Sequence, residues 1–194
     1  MIDKDVHVVL DLETMGNTQS AAIVAIGAVA CTVEQGIFSQ FYTEVSLDSS
    51  VRHGLSMDVS TVLWWLNQDK DARAIFQHNH KVADLTTAII DFDNWFRVAG
   101  EPKGILVWGN GADFDNAILR NAYQHVGREL PWMYYNNRCL RTLRAENPDV
   151  AKPAFVGTLH NARDDAWNQA NHLLIIKRKA LYGANPTGAL RALT

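Results

Sequence analysis

The chain has 194 residues, of which 47% are hydrophobic and 20% are charged, and its net charge is −3. This balance predicts one globular domain with a sizeable core and excludes a largely disordered chain. The longest apolar run, residues 21–31, is too short to span a bilayer, and Asp3 and Asp5 stand where a signal peptide would carry basic residues. We therefore expect a cytoplasmic protein that contacts no membrane and keeps its two cysteines reduced.

The charges are distributed unevenly along the chain. No acidic residue follows Asp165, whereas four basic residues do: Lys177, Arg178, Lys179 and Arg191. The first 165 residues are therefore more acidic than the chain as a whole, which disfavours indiscriminate binding to nucleic acid. An acidic metal site with local basic contacts, or no nucleic-acid binding at all, fits this distribution.

The first three predicted elements are strands that form an antiparallel meander. Residues 6–14 are mostly β-branched or apolar and deliver Asp11 and Glu13 at the end of the strand. After a polar loop, residues 21–32 form a buried strand, and residues 36–45 alternate as its hairpin partner should.

Helices dominate the rest of the chain. Residues 48–57 are expected to be irregular, and residues 147–158 to form a loop. The other predicted elements, in order, are a helix capped by Asp58 or Ser60 and ending near Leu66, a helical region over 71–77, an amphipathic helix over 84–99, a strand over 104–108, a helix ending near Val126, a last strand near 132–135, a short helix over 138–145 and a final helix over 162–181. This order predicts one mixed α/β domain, residues 1–181, with helices packed on a central sheet, and a C-terminal tail, residues 182–194.

Asp11 and Glu13 are the first candidate site residues. Side chains alternate across a strand, so these two acids point to the same face. Adjacent carboxylates on a mostly apolar strand repel each other and lose hydration, and a bound divalent cation relieves both costs. The alternative is an ordinary strand end in solvent, which these two residues alone do not exclude.

Two further pairs of acids lie near helix starts, and helical geometry selects one member of each. Asp115 shares a face with the inward stripe that begins at Ile118, so it is the better ligand, whereas Asp113 is turned away and is expected to be the N-cap. At about 100° per residue, Asp165 lies roughly 60° from Ala162, at the edge of the inward stripe of the final helix. Asp164 lies on the outer side, where a solvated acid meets the helix dipole favourably.

Three motifs in this order resemble those of the DEDD 3′–5′ exonucleases, in the branch that carries a histidine (DEDDh). They are Asp11-Leu12-Glu13-Thr14, residues 110–115 (NGADFD) and residues 160–165 (HNARDD), where His160 precedes Asp165 by five residues. The resemblance covers roughly residues 6–179. Residues 61–66 and 141–143 look most like the small phage and prophage exonucleases of the exodeoxyribonuclease VIII-like kind, which are related to the adenosine-specific exoribonuclease AS.

The resemblance implies a ribonuclease H-like α/β fold, in which a mixed sheet of an antiparallel meander and parallel strands is flanked by helices. It implies that Asp11, Glu13, Asp115 and Asp165 are catalytic and hold two Mg²⁺ or Mn²⁺ ions, and that His160 is the general base that takes the proton of the attacking water. The residues it suggests for substrate binding are Thr14, Met15, Asn110 and Trp65. The implied reaction is hydrolysis at the 3′ end of single-stranded nucleic acid, with DNA favoured over RNA, releasing nucleoside 5′-monophosphates.

Three alternatives to this function are compatible with parts of the sequence. One is an exoribonuclease with adenosine preference, and another is a catalytically silent nucleic-acid-binding module on the same fold. The intact set of four acids and a histidine disfavours the silent module. The third is an unrelated α/β enzyme such as a phosphatase, for which no glycine-rich phosphate loop or cysteine nucleophile motif is present.

The pair Trp64-Trp65 suggests an interface. Adjacent helical residues diverge by roughly 100°, so the two rings cannot both face one core. One of them is therefore expected to be exposed or to lie at an interface. Together with the dimers found among the relatives, this surplus of tryptophan favours a homodimer.

Overall fold

Five strands form the central sheet of the protein, which a computed structural model describes over residues 5–77 and 82–183. They are β1 (His7–Thr14), β2 (Ile23–Thr32), β3 (Gly36–Glu44), β4 (Leu106–Gly109) and β5 (Asn137–Cys139). Their order across the sheet is β3-β2-β1-β4-β5. The first three strands pair antiparallel, and β4 and β5 extend the sheet in parallel with β1. The predicted mixed sheet is confirmed.

Helices cover both faces of this sheet. In chain order they are α1 (Leu47–Arg52), α2 (Val59–Leu66), α3 (Lys70–Arg73), α4 (Leu85–Ala99), α5 (Asp115–His125), α6 (Leu140–Ala145) and α7 (Ala162–Tyr182). Buried residues of α4 and α5 form the larger core on one face, and α7 with the start of α6 forms a second core on the other.

Strand β1 divides its side chains between the two cores. Val8, Leu10 and Leu12 belong to the larger core, and Val9 belongs to the core under α7. Because residues two apart share a face of a strand, Asp11 and Glu13 point with Val9 towards α7. The alternation of this strand therefore aims both acids at the helix that carries Asp165.

Helix α7 lies very close to the sheet where it starts. Gly27 pairs with Asp11 across β1 and β2. A Cβ atom at Gly27 would lie only 2.2 Å from the carbonyl carbon and oxygen of Ala162. The missing side chain therefore lets the first turn of α7 pack directly on Gly27, beside Asp11.

Helix α4 forms as its sequence pattern predicts. A side-chain oxygen of Asp84 accepts a hydrogen bond from the backbone N–H of Thr86, 3.0 Å away, and caps the first turn. The residues at helical spacing are buried: Leu85, Ala88, Ile89, Phe92 and Phe96. Each of the larger side chains, those of leucine, isoleucine and phenylalanine, contributes about 1.5–3 kcal/mol of burial free energy.

Two of the predicted elements are wrong. Residues 48–57 are not irregular throughout, because Ser46 caps a short helix, α1, by accepting a hydrogen bond from the Ser49 N–H at 3.3 Å. The expected strand near 132–135 is instead a turn that includes a 3₁₀ segment, and β5 starts only at Asn137. Trp132 is buried in the core and not part of a strand, and its indole N–H donates to the side-chain oxygen of Asn137.

The remaining boundaries differ by a few residues from the predictions. The strand expected over 104–108 runs from Leu106 to Gly109, and α7 continues to Tyr182. Asp58 is the N-cap residue of α2, but its carboxylate accepts the N–H of Asn17 instead of an N–H of the helix. Most of the predicted tail, residues 184–194, lies outside the described residues. No described helix is both long enough and apolar enough to cross a membrane.

Candidate active site

Three of the predicted metal ligands meet between β1 and α7. One carboxylate oxygen from each of Asp11, Glu13 and Asp165 lies within 4.8 Å of the other two. The three side chains line a cavity of about 360 Å³, together with residues of α2 and of the loop before α7. Two elements far apart in sequence thus present three acids to one small volume.

Asp115, at the start of α5, lies beside this group and not within it. Its carboxylate accepts the backbone N–H of Asn110 at 2.9 Å and that of Leu12 at 3.2 Å. These bonds tie α5 to β1 and fix the orientation of the carboxylate, which is only 3% exposed. An ionised carboxylate offers about four lone-pair sites, so two accepted hydrogen bonds leave room for a cation.

Burial raises the pKa of every acid in the site. Loss of hydration is the largest cause for each of the four. The pKa of Glu13 rises to about 8 and that of Asp115 to about 7. The pKa of Asp11 is raised well above its usual value by burial and then by the charges of Asp115, Glu13 and Asp165. Without a cation, the site therefore holds protons that ordinary carboxylic acids release.

Gln169, one turn after Asp165 on α7, holds Asp11 in place. Its side-chain amide donates a hydrogen bond to Oδ1 of Asp11 at 2.6 Å. Its own Oε1 is buried and has no hydrogen-bond partner among the described residues. Sequence reasoning missed Gln169, although its spacing of four residues from Asp165 places both on one side of the helix.

His160 reaches the same cavity from the loop before α7. Its backbone has φ = 62°, and it is the one described residue other than glycine with a positive φ. The His160 N–H donates to Oδ2 of Asp165 at 2.8 Å, so the loop is fastened to a predicted ligand. The spacing of five residues between His160 and Asp165 thus corresponds to a direct contact.

The two adjacent tryptophans of α2 have different environments. Trp65 lines the cavity wall but is only 3% exposed, and its indole N–H donates to the carbonyl oxygen of Thr14 at 2.9 Å. Trp64 is 43% exposed and its ring lies edge-on to that of His160, with the centroids 5.0 Å apart. Trp64, which was not among the predicted site residues, is thus the more accessible ring of the pair.

The other predicted substrate-binding residues lie at or near the cavity. Thr14 and Asn110 line it, and Asn110 Oδ1 also accepts a hydrogen bond from Arg144 at 3.1 Å. Met15 is 5% exposed and lines a neighbouring apolar cavity instead.

Asp113 and Asp164, which were not expected to be ligands, lie outside the carboxylate group. Their structural roles, however, differ from the predicted ones. Asp113 does not cap α5, because Phe114 is the N-cap residue and no side chain makes a capping hydrogen bond. Asp164 is not simply solvated. Its carboxylate accepts the N–H of Thr158 at 2.9 Å and the guanidinium N–H of Arg163 at 3.2 Å, which fastens the loop that precedes His160.

Solved structures of nucleases share this fold. Exonuclease I of E. coli in complex with a dT13 oligonucleotide has a TM-score of 0.60 and 13% identity, over 92% of this chain and 43% of that one. A cell-death related nuclease has a TM-score of 0.52 and 14% identity, over 89% of this chain and 64% of that one. A full-length 3′-exonuclease has a TM-score of 0.53 and 10% identity, over 93% of this chain and 84% of that one. This chain thus spans less than two thirds of the first two relatives, and at such identities the likeness concerns the ribonuclease H-like fold.

The matches at the level of sequence define the class of protein, a 3′–5′ exonuclease of the DEDD superfamily, as the motifs predicted. The family model described as a 3′–5′ exoribonuclease Rv2179c-like domain matches residues 6–177, and the chain belongs to this family. A curated relative, the exodeoxyribonuclease of Enterobacteria phage T4, is 24% identical over 201 aligned positions, covering 90% of this chain and 88% of that protein. The predicted class of enzyme, a hydrolase of nucleic acids, is confirmed.

Proposed function

We propose that this exonuclease removes nucleotides from the 3′ end of single-stranded nucleic acid, with DNA as the favoured substrate, and releases nucleoside 5′-monophosphates. The observation that carries the proposal is the meeting of Asp11, Glu13 and Asp165 with His160 in one cavity. The match to a phage exodeoxyribonuclease over nearly the whole of both chains supports DNA. Single strands are favoured because a duplex end must fray before its last phosphate enters a recessed site.

Asp11, Glu13, Asp115 and Asp165 would hold two Mg²⁺ or Mn²⁺ ions. The residues fit this role, because their ligands are all carboxylate oxygens, which such hard cations prefer. Burial raises the pKa of each acid, and a bound cation would favour the ionised forms and relieve their repulsion. When bound, a pair of such ions lowers the pKa of water and stabilises charge on the attacking and leaving oxygens.

The chain's own groups supply proton transfer and positioning. His160 takes the proton of the attacking water at an imidazole nitrogen, which offers a lone pair and is the commonest general base in enzymes. Gln169 orients Asp11 through its amide, and the backbone N–H groups of Leu12 and Asn110 orient Asp115. Thr14, Asn110 and Trp65 line the cavity and would contact the terminal nucleotide or shape the wall it meets, whereas Met15 would support that wall from the neighbouring cavity.

RNA is the second candidate substrate, with a preference for adenosine as a finer form of it. The family to which the chain belongs is described as exoribonucleolytic, which is the specific observation in its favour.

The test uses two oligonucleotides of the same sequence, one DNA and one RNA, each labelled at the 5′ end and supplied with Mg²⁺ or Mn²⁺. We expect a ladder of products shortened from the 3′ end, formed faster on DNA, and complete inhibition by a chelator. Faster cleavage of RNA would reverse the substrate assignment. Cleavage in excess chelator, or nicking of a circular single strand, would overturn the mechanism.

Two matched variants test the acidic site itself. Asp115→Asn should abolish cleavage. Asp113→Asn should leave cleavage unchanged, because Asp113 is exposed, although it lies only two residues before Asp115. Equal losses in both variants would contradict the assignment of Asp115. A fully inactive wild-type protein that still binds single strands would favour the silent binding module.

The expected homodimer stays a prediction. As expected, one ring of the tryptophan pair is exposed: Trp64 is 43% exposed and lies against His160, whereas Trp65 is 3% exposed. Sedimentation of a 21.7 kDa species at micromolar concentration would rule the dimer out.

A further inference from the structure

The loop that carries His160 is fastened to α7 through its backbone. Three N–H groups donate to side chains of α7: Val156 to Asn168 at 3.0 Å, Thr158 to Asp164 at 2.9 Å, and His160 to Asp165 at 2.8 Å. These bonds fix the path of the chain and not the orientation of the His160 side chain.

The imidazole of His160 contacts the rings of α2 instead. Within residues 5–77 and 82–183, neither of its ring nitrogens makes a hydrogen bond. Its ring lies edge-on to Trp64, with centroids 5.0 Å apart and an angle of 84°, and more loosely to Trp65 at 6.3 Å. The aromatic contact with Trp64 is therefore the main restraint on the imidazole.

Trp64 is itself held by well-packed neighbours. Its ring lies edge-on to Trp65 at 5.0 Å, and Trp65 lies edge-on to Phe76 at 5.1 Å. Trp65 also donates its indole N–H to Thr14, the residue directly after Glu13. A continuous set of contacts therefore connects the strand that bears two of the acids to the ring of His160.

His160 stands between two cavities, and only one of them contains the acids of the active site. A second cavity of about 430 Å³, lined by Tyr42, Glu44 and Asp71, lies on its other side. The imidazole borders this space as well, so a rotation of the side chain into it would take the ring away from the acids. Trp64 lines the carboxylate cavity and not the second one.

We propose that Trp64 is a positioning residue, whose ring holds the imidazole of His160 in the carboxylate cavity and keeps it out of the neighbouring one. This inference rests on the proposed role of His160 as the base. Edge-to-face aromatic pairs shift an equilibrium by about 2- to 12-fold, which sets the scale of the expected effect. Trp64 acts here through His160 and does not touch the reacting atoms.

The first test measures kcat and KM on a single strand at saturating Mg²⁺. Trp64→Ala should lower kcat by about 3- to 10-fold with little change in KM, and Trp64→Phe, which keeps an aromatic edge, should recover most of that loss. Leu63→Ala is the matched control, because Leu63 is a 55% exposed neighbour on the same helix. An increase in KM with an unchanged kcat would indicate that Trp64 stacks on a nucleotide base, and it would overturn the proposal.

A double-mutant cycle tests the dependence on His160. The variant His160→Asn is suitable because asparagine tolerates a positive φ better than alanine does. In the His160→Asn background, Trp64→Ala should cost no further activity, since the group that it positions is already gone. An equal loss in both backgrounds would show that Trp64 acts independently of His160.

The position of the ring has a direct spectroscopic readout in the metal-free protein. The Hε1 proton of His160 should carry a ring-current shift from Trp64, and its resonance among the seven histidines is identified by its absence in His160→Asn. Trp64→Ala should move this resonance, whereas Leu63→Ala should not. If His160→Asn retains full kcat, the proposed base is wrong. If His160→Asn loses rate while Trp64→Ala changes neither kcat nor the resonance, only the positioning role is wrong.

Discussion

The amide of Gln169 donates a 2.6 Å hydrogen bond to Asp11, across the contact between α7 and β1. This bond opposes the burial and the neighbouring charges that raise the pKa of Asp11, since it favours the ionised form. The same bond connects Asp11, which has three other acids close to it, to the helix that carries Asp165. A side chain that is absent from the family motif thus maintains the geometry of the motif residues.

Replacing Gln169 by leucine should weaken both Mg²⁺ binding and activity. Leucine keeps the approximate shape of the glutamine side chain but leaves Asp11 without its hydrogen-bond donor. The loss of such an orienting group typically lowers metal affinity or activity by about 10- to 100-fold. Isothermal titration with Mg²⁺ and single-strand hydrolysis measure the two effects. Asn171→Ala is the control, because its amide donates within α7, to the carbonyl of Trp167. Equal behaviour of the two variants would contradict an orienting role for Gln169.

The adjacent acids Asp164 and Asp165 should respond very differently to substitution. Asp165→Asn removes a predicted ligand, so its loss of activity should exceed the roughly 100-fold limit for groups that only orient a ligand. Asp164→Asn can keep one of its two accepted hydrogen bonds, from Thr158 or from Arg163, and should cost about 1 kcal/mol of stability with little loss of rate. Thermal unfolding and kcat measured on both variants check this, and the reverse order of activities would refute it.

The stability of the metal-free protein should fall as the pH rises. Unfolded carboxyl groups titrate near about pH 4, whereas the pKa values of Asp115 and Glu13 in the folded protein are about 7 and about 8. The raised values contribute stability that is complete below the unfolded pKa and is lost as the pH rises through the folded pKa. The melting temperature in chelator should therefore decrease between about pH 5 and about pH 8.

Added Mg²⁺ should reverse this pH dependence, because it binds the ionised acids of the folded state. Its stabilising effect should be small near about pH 5 and large near about pH 8. The variant Glu13→Gln removes one of the responsible groups and should flatten the fall in chelator. An Mg²⁺ effect that is the same at both pH values would contradict the coupling between protonation and metal binding.

The sequence predicted the parts of the site that depend on short-range geometry. The period of β1 places Asp11 and Glu13 on one face, and the helical spacing selects Asp165 over Asp164, as the structure has them. The strands of the meander and the amphipathic α4 were predictable for the same reason, since their burial follows a period of 2 or 3.6 residues.

The sequence could not predict the parts that depend on contacts between distant segments. The prediction that Asp113 caps α5 was wrong. The acid that is held at the start of α5 is Asp115, which accepts hydrogen bonds from the backbone N–H groups of residues 12 and 110. The strand expected near Trp132 was wrong because its aromatic character reflects burial against α4 and α5, with Phe96 and Tyr123 as neighbours. The contact between Trp64 and His160 joins segments almost a hundred residues apart, which no local pattern records.

Gly27 provides the last prediction, because it controls how closely α7 approaches the acids. A Cβ at this position would lie 2.2 Å from Ala162 backbone atoms, far closer than van der Waals contact, and backbone cannot move aside as a flexible side chain can. Gly27→Ala should therefore push the first turn of α7 away from β1 and cost about 1–3 kcal/mol or more. Because Asp165 would retreat from Asp11 and Glu13, Mg²⁺ binding should weaken as well. Gly104→Ala is the control, since its Cβ would meet its nearest neighbour at 3.6 Å. Thermal unfolding and Mg²⁺ titration of both variants decide the matter: a stable Gly27→Ala protein with wild-type Mg²⁺ affinity would show that the close contact does not position Asp165.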